Sequence, residues 1–559
     1  MRPGFDPTYV VEDHPTDPHE TKYTVDAVGT EMLLYRDTAS RRQRARDRVN
    51  TATSRALSTL PRSWYAALGR AIDRRQHLGR PARRHQAPEQ QTVDPDTLSL
   101  EEMVAPTTAV DEVRRARTEI VDALRERGIS AAVLPGAAGR RGAIVISHHD
   151  LPAAAATLAG ELDRSWRMVP LADPLARPRR LSAARLRRAG RRRDGFRLVR
   201  RPVGATAGVE LELEVWPEVH DEQGPGMLPS ENEGTLVASR RQTWTTHLSA
   251  PTWRAAVDQG TVSVGGQPHL FDTVGEIDVV YTWVDGSDPE WNAQRLAALG
   301  VAEAPDSTNG ATHAARFRSH DELRYSLRSV ELFAPWVRRV HIVTAGQVPD
   351  WLDTDHPRLR LVDHRDIFTD PSVLPVFNSH AIESQLHHIP GLSERYLYLN
   401  DDVFLGRPVD PSLFFHGNGL AKFFMSSALM DAGDHRPDDT PVTSAAKNNR
   451  DLLARVFGRR VTHLFQHTPH PQLRSVLEEM EQAHPEIFEQ VAASAFRHPG
   501  DVSISSALHH YYAYALGKAV PGRLDYLYLD LAHPRAAGRL RRLLRRREFD
   551  VFCLNDSPG

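Results

Sequence analysis

The sequence predicts an α/β protein whose core is a Rossmann-like, mostly parallel sheet. From about residue 275 onward, short apolar runs alternate with amphipathic helical segments, as in doubly wound sheets. Two of these runs, at 277–283 and 396–400, lead into carboxylates. In open α/β sheets, ligands bind in the crevice beyond the carboxyl ends of the strands. We expect a small α/β module before this core and a helical subdomain after it.

Length and composition set broad limits. The chain has 559 residues, a formal net charge of −2 and a single cysteine, Cys553. We therefore expect about two to four domains, no intrachain disulfide and no nucleic-acid partner. Residues 1–20 lack the apolar core of a signal peptide, and no apolar run approaches the length of a membrane span. These observations favour a soluble, cytoplasmic protein.

The first half of the chain is predicted to be an arm followed by an accessory module. Residues 1–105 are poor in structural signals and are interpreted as a partly disordered arm. Residues 106–270 are interpreted as an α/β module, with a basic segment at 177–201. That segment is either a solvated face near acidic neighbours or a surface for anionic lipid or a polyanionic glycan. The predicted elements are helices at 111–127 and 151–162 and strands at 130–134, 142–147 and 209–215.

The second half is predicted to be the functional domain, spanning 275–559. It divides into an α/β core at 275–415, a helical subdomain at 416–545 and a tail at 546–559. The tail is rich in apolar residues, which indicates that it is packed. Beyond the two runs described above, the predicted elements are strands at 337–343 and 359–363 and helices at 320–332, 378–388, 471–484, 485–495 and 501–516.

The first acid-tipped run reads YTWVDGSD at 281–288. A buried strand that ends in Trp283, Asp285, Gly286 and Asp288 would deliver carboxylates and a flexible glycine into a loop. An ordinary turn after a core strand explains Asp and Gly equally well. This run alone does not decide between a ligand-binding loop and an ordinary turn.

The second acid-tipped run places Asn400, Asp401 and Asp402 between the apolar stretches 396–399 and 403–405. Carboxylates that are buried without a partner are unfavourable, so these need a cation, donors or water. Mg²⁺ prefers oxygen ligands and is commonly held by one or two carboxylates together with substrate phosphates. The run therefore predicts a site for a metal and a diphosphate, the alternative being a β-bulge or strand end with solvated acids.

Four blocks in the second half have a recognisable order and spacing. They lie at 277–288, at 316–331 with 378–383 and 398–402, at 467–471 (HTPHP) with 496–501 (FRHPGD), and at 552–556 (FCLND). These blocks resemble the four conserved regions of the Stealth family. That family contains hexose-1-phosphate transferases, among them bacterial capsule polymerases and the animal N-acetylglucosamine-1-phosphotransferase of lysosomal enzymes. The resemblance covers about half of the chain and does not extend to residues 1–270.

The resemblance implies a GT-A-like core and phosphoryl transfer assisted by Mg²⁺ or Mn²⁺. The donor would be a nucleotide sugar such as UDP-N-acetylglucosamine, and the acceptor a hydroxyl of a glycan or polysaccharide. The product would be a phosphodiester in a surface or capsular polysaccharide, with a nucleoside monophosphate released. Two alternatives stay open: an ordinary metal-dependent glycosyltransferase that releases a nucleoside diphosphate, and a non-catalytic glycan-assembly protein.

The resemblance also implies catalytic roles. His467 would be the general base, a role that suits histidine because its pKa lies near neutral pH. His470 is a nearby competitor. Arg497 would hold phosphate through its forked donors. The expected metal ligands are Asp401, Asp402 and Asp556.

Further residues are expected to contact the substrates. For some of them a structural role is the alternative: helix capping for Asn378, a salt-bridged helix for the arginines near 324, and packing for Trp283. The amphipathic basic segment 539–547 is expected to contact anionic membrane. The expected substrate-binding residues are Trp283, Asp285, Gly286, Asp288, Arg316, Arg318, Arg324, Asn378, His380, Glu383, Asn400, Lys447 and Asn555.

Overall fold

The structure is a computed structural model. It describes residues 109–555 apart from gaps at 138–141, 173–176, 194, 201–208, 220–233, 239, 241–243, 301–316, 318–319 and 547–548. The predicted arm at 1–105 lies outside the described residues, as do Arg316, Arg318 and Asp556.

The first part of the described chain is built on a six-stranded mixed sheet. Its helices are α1 (Ala109–Glu126), α2 (Leu151–Glu161) and α3 (Ala183–Arg193), and its strands are β1 (Ala131–Leu134), β2 (Ala143–Ser147), β3 (Trp166–Pro170), β4 (Arg179–Arg180), β5 (Gly195–Arg200) and β6 (Val209–Trp216). The strand order is β1-β2-β6-β5-β3-β4. A small antiparallel sheet and a helix follow: β7 (Glu218–Val219), β8 (Thr235–Val237), β9 (His247–Leu248) and α4 (Ala250–Gln259).

The basic segment at 177–201 is part of this fold. Leu186 on α3 and Phe196 and Leu198 on β5 are fully buried. Arg197 on β5 pairs with Glu210 and Glu212 of the neighbouring strand β6. Of the two sequence interpretations, these contacts favour the face that packs near acidic neighbours.

The second part contains the predicted parallel sheet. Its elements as far as residue 405 are β10 (Ile277–Thr282), α5 (Pro289–Leu299), α6 (Glu322–Phe333), β11 (Val340–Thr344), β12 (Leu359–Asp363), α7 (His364–Ile367), α8 (Ser379–Glu383), β13 (Arg395–Leu399) and β14 (Val403–Leu405). Short 3₁₀ turns lie at Pro371–Val373, Leu386–His388 and Pro411–Leu413.

Residues beyond 415 contain strands as well as helices, so this part is mixed where a helical subdomain was expected. Its elements are β15 (Ala421–Phe423), β16 (Met425–Leu429), α9 (Pro441–Phe457), β17 (His463–Phe465), β18 (His470–Leu473), α10 (Arg474–Ala483), α11 (Pro485–Ala492), a π-helical turn at Ile504–Leu508, α12 (His509–Ala515), β19 (Ala519–Pro521), β20 (Tyr526–Asp530), α13 (Ala536–Arg546) and β21 (Val551–Asn555). The pairs β15–β19 and β16–β17 form two-stranded sheets.

The central sheet has five strands in the order β12-β11-β10-β13-β18. The first four are parallel, which confirms the predicted mostly parallel sheet, and β18 adds an antiparallel edge. The chain runs from β10 outward to β12 and then returns to place β13 on the other side of β10. The strand order therefore reverses between β10 and β13, and ligands bind at such switch points in doubly wound sheets.

One predicted helix start was wrong. Pro471 was expected to begin a helix, but it lies in β18, opposite Leu397 of β13. Proline cannot donate a ladder hydrogen bond and is tolerated on edge strands, which is where β18 lies. The helix begins three residues later, at Arg474.

The predicted packing of the tail is confirmed for the described residues 551–555. β21 lies between β14 and β20, and its Val551 and Cys553 are fully buried. On α13, Leu543 is buried and packs with Leu527 and Leu529 of β20, so the apolar side of this amphipathic helix is used inside the fold. None of the described helices is long and apolar enough to cross a membrane.

Candidate active site

Four chain segments meet at the carboxyl end of the switch-point strands. Tyr281 of β10 pairs with Leu399 of β13, so the two acid-tipped runs leave the sheet side by side. His467 precedes β18, which runs antiparallel to β13, and so it lies at the same end. β21 reaches this end from another sheet, where its Cys553 pairs with Val403.

Asp402 connects three of these segments, namely its own, that of His467 and β21. Its Oδ1 lies 3.0 Å from Nε2 of His467, and its Oδ2 accepts a hydrogen bond from Sγ of Cys553 at 3.2 Å. Its backbone carbonyl accepts from the backbone N–H of Leu554 at 3.1 Å. The side-chain amide of Asn400 lies 3.3 Å from the same imidazole nitrogen. The His467 side chain is 35% exposed and that of Asp402 20%, so the pair is open to a ligand.

The Asp402–His467 contact changes the pKa of both groups. Burial opposes the charged forms, but the hydrogen bond and the mutual attraction outweigh it. They lower the pKa of the Asp402 carboxyl and raise the pKa of the His467 imidazole. Burial, with Asp402 nearby, raises the pKa of the Cys553 thiol, so its S–H group is the donor to Asp402.

The pKa of Asp401 is shifted in the direction opposite to that of Asp402. Burial and the neighbouring carboxylates of Asp402 and Glu322 raise its pKa to about 7. Burial contributes most to this rise, and repulsion from the two carboxylates adds to it. A divalent cation there would relieve the repulsion, and the oxygen ligands of Asp401 and Asp402 suit a hard cation such as Mg²⁺. Asp402 can serve although it already accepts two side-chain bonds, because a carboxylate has about four lone-pair sites.

Arg497 and Glu383 form the other side of the site. Nη2 of Arg497 donates to Oγ of Ser379 at 2.9 Å, while its Nε is buried without a hydrogen-bond partner. Burial lowers the pKa of the guanidinium, and the charges of Glu383, Tyr398 and Asp501 act against that shift. Glu383 also helps to raise the pKa of His467, which places the two ends of the site within electrostatic reach of each other.

The loop after β10 is held by its own contacts. Gln347 donates from Nε2 to the Asp285 carbonyl and to Oδ2 of Asp288, both at 2.9 Å, and accepts from the Asp285 N–H. Asp288 also caps α5. Gly286 is required by space, because a Cβ there would lie 2.4 Å from the carbonyl oxygen of Phe317. The loop shares the sheet edge with Asp402.

Two expected substrate contacts are buried in structural roles. Asn378 is fully buried and donates to Asp501 at 2.8 Å. It also caps α8, which is the structural role that the sequence offered as the alternative to substrate binding. Lys447 is fully buried and donates to Asp439 at 2.8 Å and to the Asp434 carbonyl at 2.7 Å. These internal contacts hold both side chains in place, and their expected contact with a substrate stays a prediction.

The remaining expected residues lie as follows. His380 is buried, with Nδ1 3.6 Å from Asp501. Arg324 stacks over Trp351, Trp283 is packed in the core, and Asn555 ends β21 opposite Asp530. His470, the competitor of His467, is buried 3.0 Å from His510, and burial lowers its pKa to about 3.

Sequence reasoning missed Cys553, Gln347 and Glu322. Gln347 follows β11, the parallel neighbour of β10, so the rule that identified Asp285 would have identified it too. Cys553 lies within the FCLND block and is the only cysteine in the chain. Only the pairing of β21 with β14 brings it to Asp402, and that pairing is not visible in sequence.

The fold and the site define a doubly wound α/β protein with an aspartate–histidine pair at the switch point of its sheet. Stealth conserved regions 1, 2 and 3 match residues 275–300, 316–423 and 466–514. The chain belongs to the Stealth family.

Named relatives agree with this assignment. The chain is 43% identical over 476 residues to the exopolysaccharide phosphotransferase SCO6023 of Streptomyces coelicolor, covering 81% of this chain and 79% of that protein. It is 53% identical over 287 residues to SCO2594 of the same organism, with 51% and 47% covered. It is 45% identical over 293 residues to the exopolysaccharide phosphotransferase CpsY of Mycobacterium tuberculosis, with 52% and 54% covered. The matches to SCO2594 and CpsY thus span about half the length of those proteins.

Among solved structures, the galactosyltransferase LgtC in complex with donor and acceptor sugar analogues is 13% identical, with a TM-score of 0.25. That match covers 50% of this chain and 87% of LgtC. A score this low carries no argument, so the fold assignment rests on the strand order itself.

Proposed function

We propose that this chain transfers a hexose-1-phosphate, such as N-acetylglucosamine-1-phosphate, from a UDP-linked sugar to a hydroxyl of a glycan acceptor. The acceptor oxygen forms a bond to the phosphorus that carries the sugar. The bond from that phosphorus to the nucleoside monophosphate breaks, and the hydroxyl proton passes to His467. Because the sugar C1–O bond stays intact, the anomeric configuration is kept. Membership of the family and the names of the relatives support a role in exopolysaccharide synthesis.

The hydrogen bond between Asp402 and His467 is the observation that carries this proposal. A carboxylate only accepts, so Nε2 of His467 carries the proton and Nδ1 is left to take the proton of the hydroxyl. Asp402 fixes the orientation of the ring and stabilises the imidazolium that forms, as the aspartate of a catalytic triad does. The raised pKa of His467 makes it a stronger base.

Arg497 and the acids of β13 would act on the phosphates. The buried Nε of Arg497 lacks a hydrogen-bond partner, and a phosphate oxygen would satisfy it. Asp401 and Asp402 would hold Mg²⁺ or Mn²⁺, which neutralises phosphate charge when bound. We assign Asp285 and Asp288, on the neighbouring strand end, to the nucleotide side of the donor.

The released nucleotide tests the proposal. The protein would be incubated with a panel of nucleotide sugars, glycan acceptors and Mg²⁺ or Mn²⁺, and the products followed by phosphorus NMR. We expect a phosphodiester signal together with nucleoside monophosphate. Release of nucleoside diphosphate without a phosphodiester would instead establish an ordinary glycosyltransferase.

The base assignment has its own test. His467→Ala should abolish transfer and leave donor binding, measured by calorimetry, nearly unchanged. His435→Ala is the matched control, because His435 is a surface histidine paired with Asp451. Loss of donor binding in His467→Ala would show that His467 holds the donor rather than activating the acceptor.

Contact with anionic membrane stays a prediction. Because Leu543 packs inward, a membrane would have to contact the outer side of α13, where Leu544 is 75% exposed. Flotation with vesicles of increasing anionic-lipid content tests it, and flotation that does not depend on lipid charge would remove it.

A further inference from the structure

A second cluster of metal-ligating side chains shares no residue with the candidate active site. His387 and His388 lie in the 3₁₀ turn after α8, and Glu481 lies on α10. Nε2 of each imidazole is 2.8 Å from the same oxygen, Oε2 of Glu481. The ligating atoms of all three residues lie within 4.8 Å of one another.

The hydrogen bonds of His388 leave its Nε2 in need of a cation. Nδ1 of His388 is 2.9 Å from the carbonyl oxygen of Ile367. A carbonyl only accepts, so Nδ1 carries the hydrogen, and in a neutral imidazole Nε2 then presents a lone pair. That lone pair faces a carboxylate oxygen of Glu481, which also has only lone pairs to offer. Either an additional proton or a metal ion must lie between them.

His387 is held so that its Nε2 faces the same oxygen. Its side chain is fully buried, and its ring packs edge-on against Phe488 at 5.8 Å between centroids. Its Nδ1 is buried without a hydrogen-bond partner. A buried ring in this packing cannot turn away freely, so two imidazole nitrogens and one carboxylate converge on one point.

We propose that His387, His388 and Glu481 form a binding site for a divalent transition metal, with Zn²⁺ as the favoured ion. Two imidazoles and one carboxylate are a recurrent ligand set for zinc. The Ile367 carbonyl would be the outer-shell partner that ligating histidines regularly have. Glu478 lies one helical turn before Glu481 and acts electrostatically on both histidines, so it or a water would be the fourth ligand.

The geometry needs only a small adjustment to accept the ion. Ligands at about 2.0–2.2 Å from a tetrahedral zinc lie roughly 3.3 Å from each other. The two nitrogen–oxygen distances are now 2.8 Å. The Glu481 oxygen would therefore move away from the two nitrogens by about half an ångström, which rotation of the partly exposed Glu481 side chain allows.

The bound ion would brace the fold next to the active site. It would join the turn at 386–388 to α10 and, through the Ile367 carbonyl, to the end of α7. Glu383, at the edge of the candidate active site, ends the helix that leads into this turn. A ligand that binds only the folded state raises its stability by mass action, so zinc should raise the melting temperature.

Zinc binding by the full chain tests the site. The Asp402, His467 and Cys553 cluster also has ligating atoms close together, so the experiment uses Cys553→Ser as its background. After removal of metals with a chelator, excess Mg²⁺ is added to occupy the acids Asp401 and Asp402. Titration calorimetry with Zn²⁺ should then show one site, and the melting temperature should rise. Co²⁺ in place of Zn²⁺ should give visible bands without thiolate-to-metal charge transfer.

His388→Arg in the same background is the decisive comparison. Arginine can still pair with Glu481 but cannot ligate zinc, so zinc binding and the rise in melting temperature should both be lost. Glu481→Gln, which keeps the side-chain shape, should weaken zinc binding and serves if His388→Arg does not fold. Absence of zinc binding in Cys553→Ser, or equal binding by His388→Arg, would overturn the proposal and leave a protonated His388–Glu481 ion pair.

Discussion

Arg497→Lys is the substitution that most directly probes the phosphate side of the site. Nη2 of Arg497 bonds Ser379, and its buried Nε has no hydrogen-bond partner. Lysine keeps the positive charge beside Glu383, so the charge balance of the buried site is preserved. It loses the planar fork that can hold two phosphate oxygens at once.

The expected loss follows from one missing bond. A hydrogen bond to a charged group contributes about 1.5–3 kcal/mol. Lysine can replace one of the two forked bonds but not both. We therefore expect kcat/KM for the nucleotide-sugar donor to fall by roughly 10- to 150-fold.

The assay is the initial rate of nucleoside-monophosphate release at varied donor concentration, with thermal unfolding measured in parallel. Ser379→Ala is the control, because it removes the observed partner of Arg497 but leaves the guanidinium in place. It should lose less activity than Arg497→Lys. Wild-type efficiency in Arg497→Lys, or a loss that follows a lower melting temperature, would refute the role of Arg497 in binding phosphate.

Two further predictions concern the strand that leads into the site. A Cβ at position 286 would lie 2.4 Å from the Phe317 carbonyl oxygen. Gly286→Ala should therefore lower the free energy of unfolding by about 1–3 kcal/mol and raise the KM for the donor. An unchanged midpoint of urea unfolding would contradict this prediction. Asp278 is fully buried and accepts from Arg338, so Asp278→Asn should cost about 3–5 kcal/mol at pH 7. Burial opposes its ionisation, but Arg338 and His341 lower its pKa. Its stabilisation is therefore present above the unfolded pKa of about 3.9 and lost as pH falls below it. Urea unfolding should show that acid loss in the wild type but not in Asp278→Asn.

The core of the fold was predictable because its strands carry a strong local signal. Apart from the buried Asp278, β10 carries the apolar run 279–281 and β13 the apolar run 396–399, as in sheets covered on both faces. Both runs end in acids, and ligands bind beyond the carboxyl ends of strands in open α/β sheets. These two points were enough to expect Asp402 and Asp285 on the same edge of the sheet. The assignment of His467 to the same site as Asp402 followed from the family resemblance and not from the spacing of the residues.

Features that depend on distant pairing could not be predicted. The sequence around Pro471 is typical of the start of a helix. This segment is an edge strand because it pairs with β13, and that pairing cannot be read from the local sequence. Lys447 is polar and lies near acceptor-side residues in sequence, but Asp431 and Asp439 from the preceding loop bury its ammonium group. In both cases tertiary contacts override a reasonable local interpretation.

The position of Asp402 in the fold explains why its carboxylate is well placed for chemistry. Only three residues, 400–402, separate β13 from β14, and these strands belong to different sheets. β13 is fixed by β10 and β18, and β14 by β21, so the short connection is held at both ends. A catalytic group on such a connection is oriented before the substrate arrives, which removes part of the entropic cost of reaching the transition state. The same arrangement makes β21 part of the site, because it supplies both the strand that fixes β14 and the thiol that bonds Asp402.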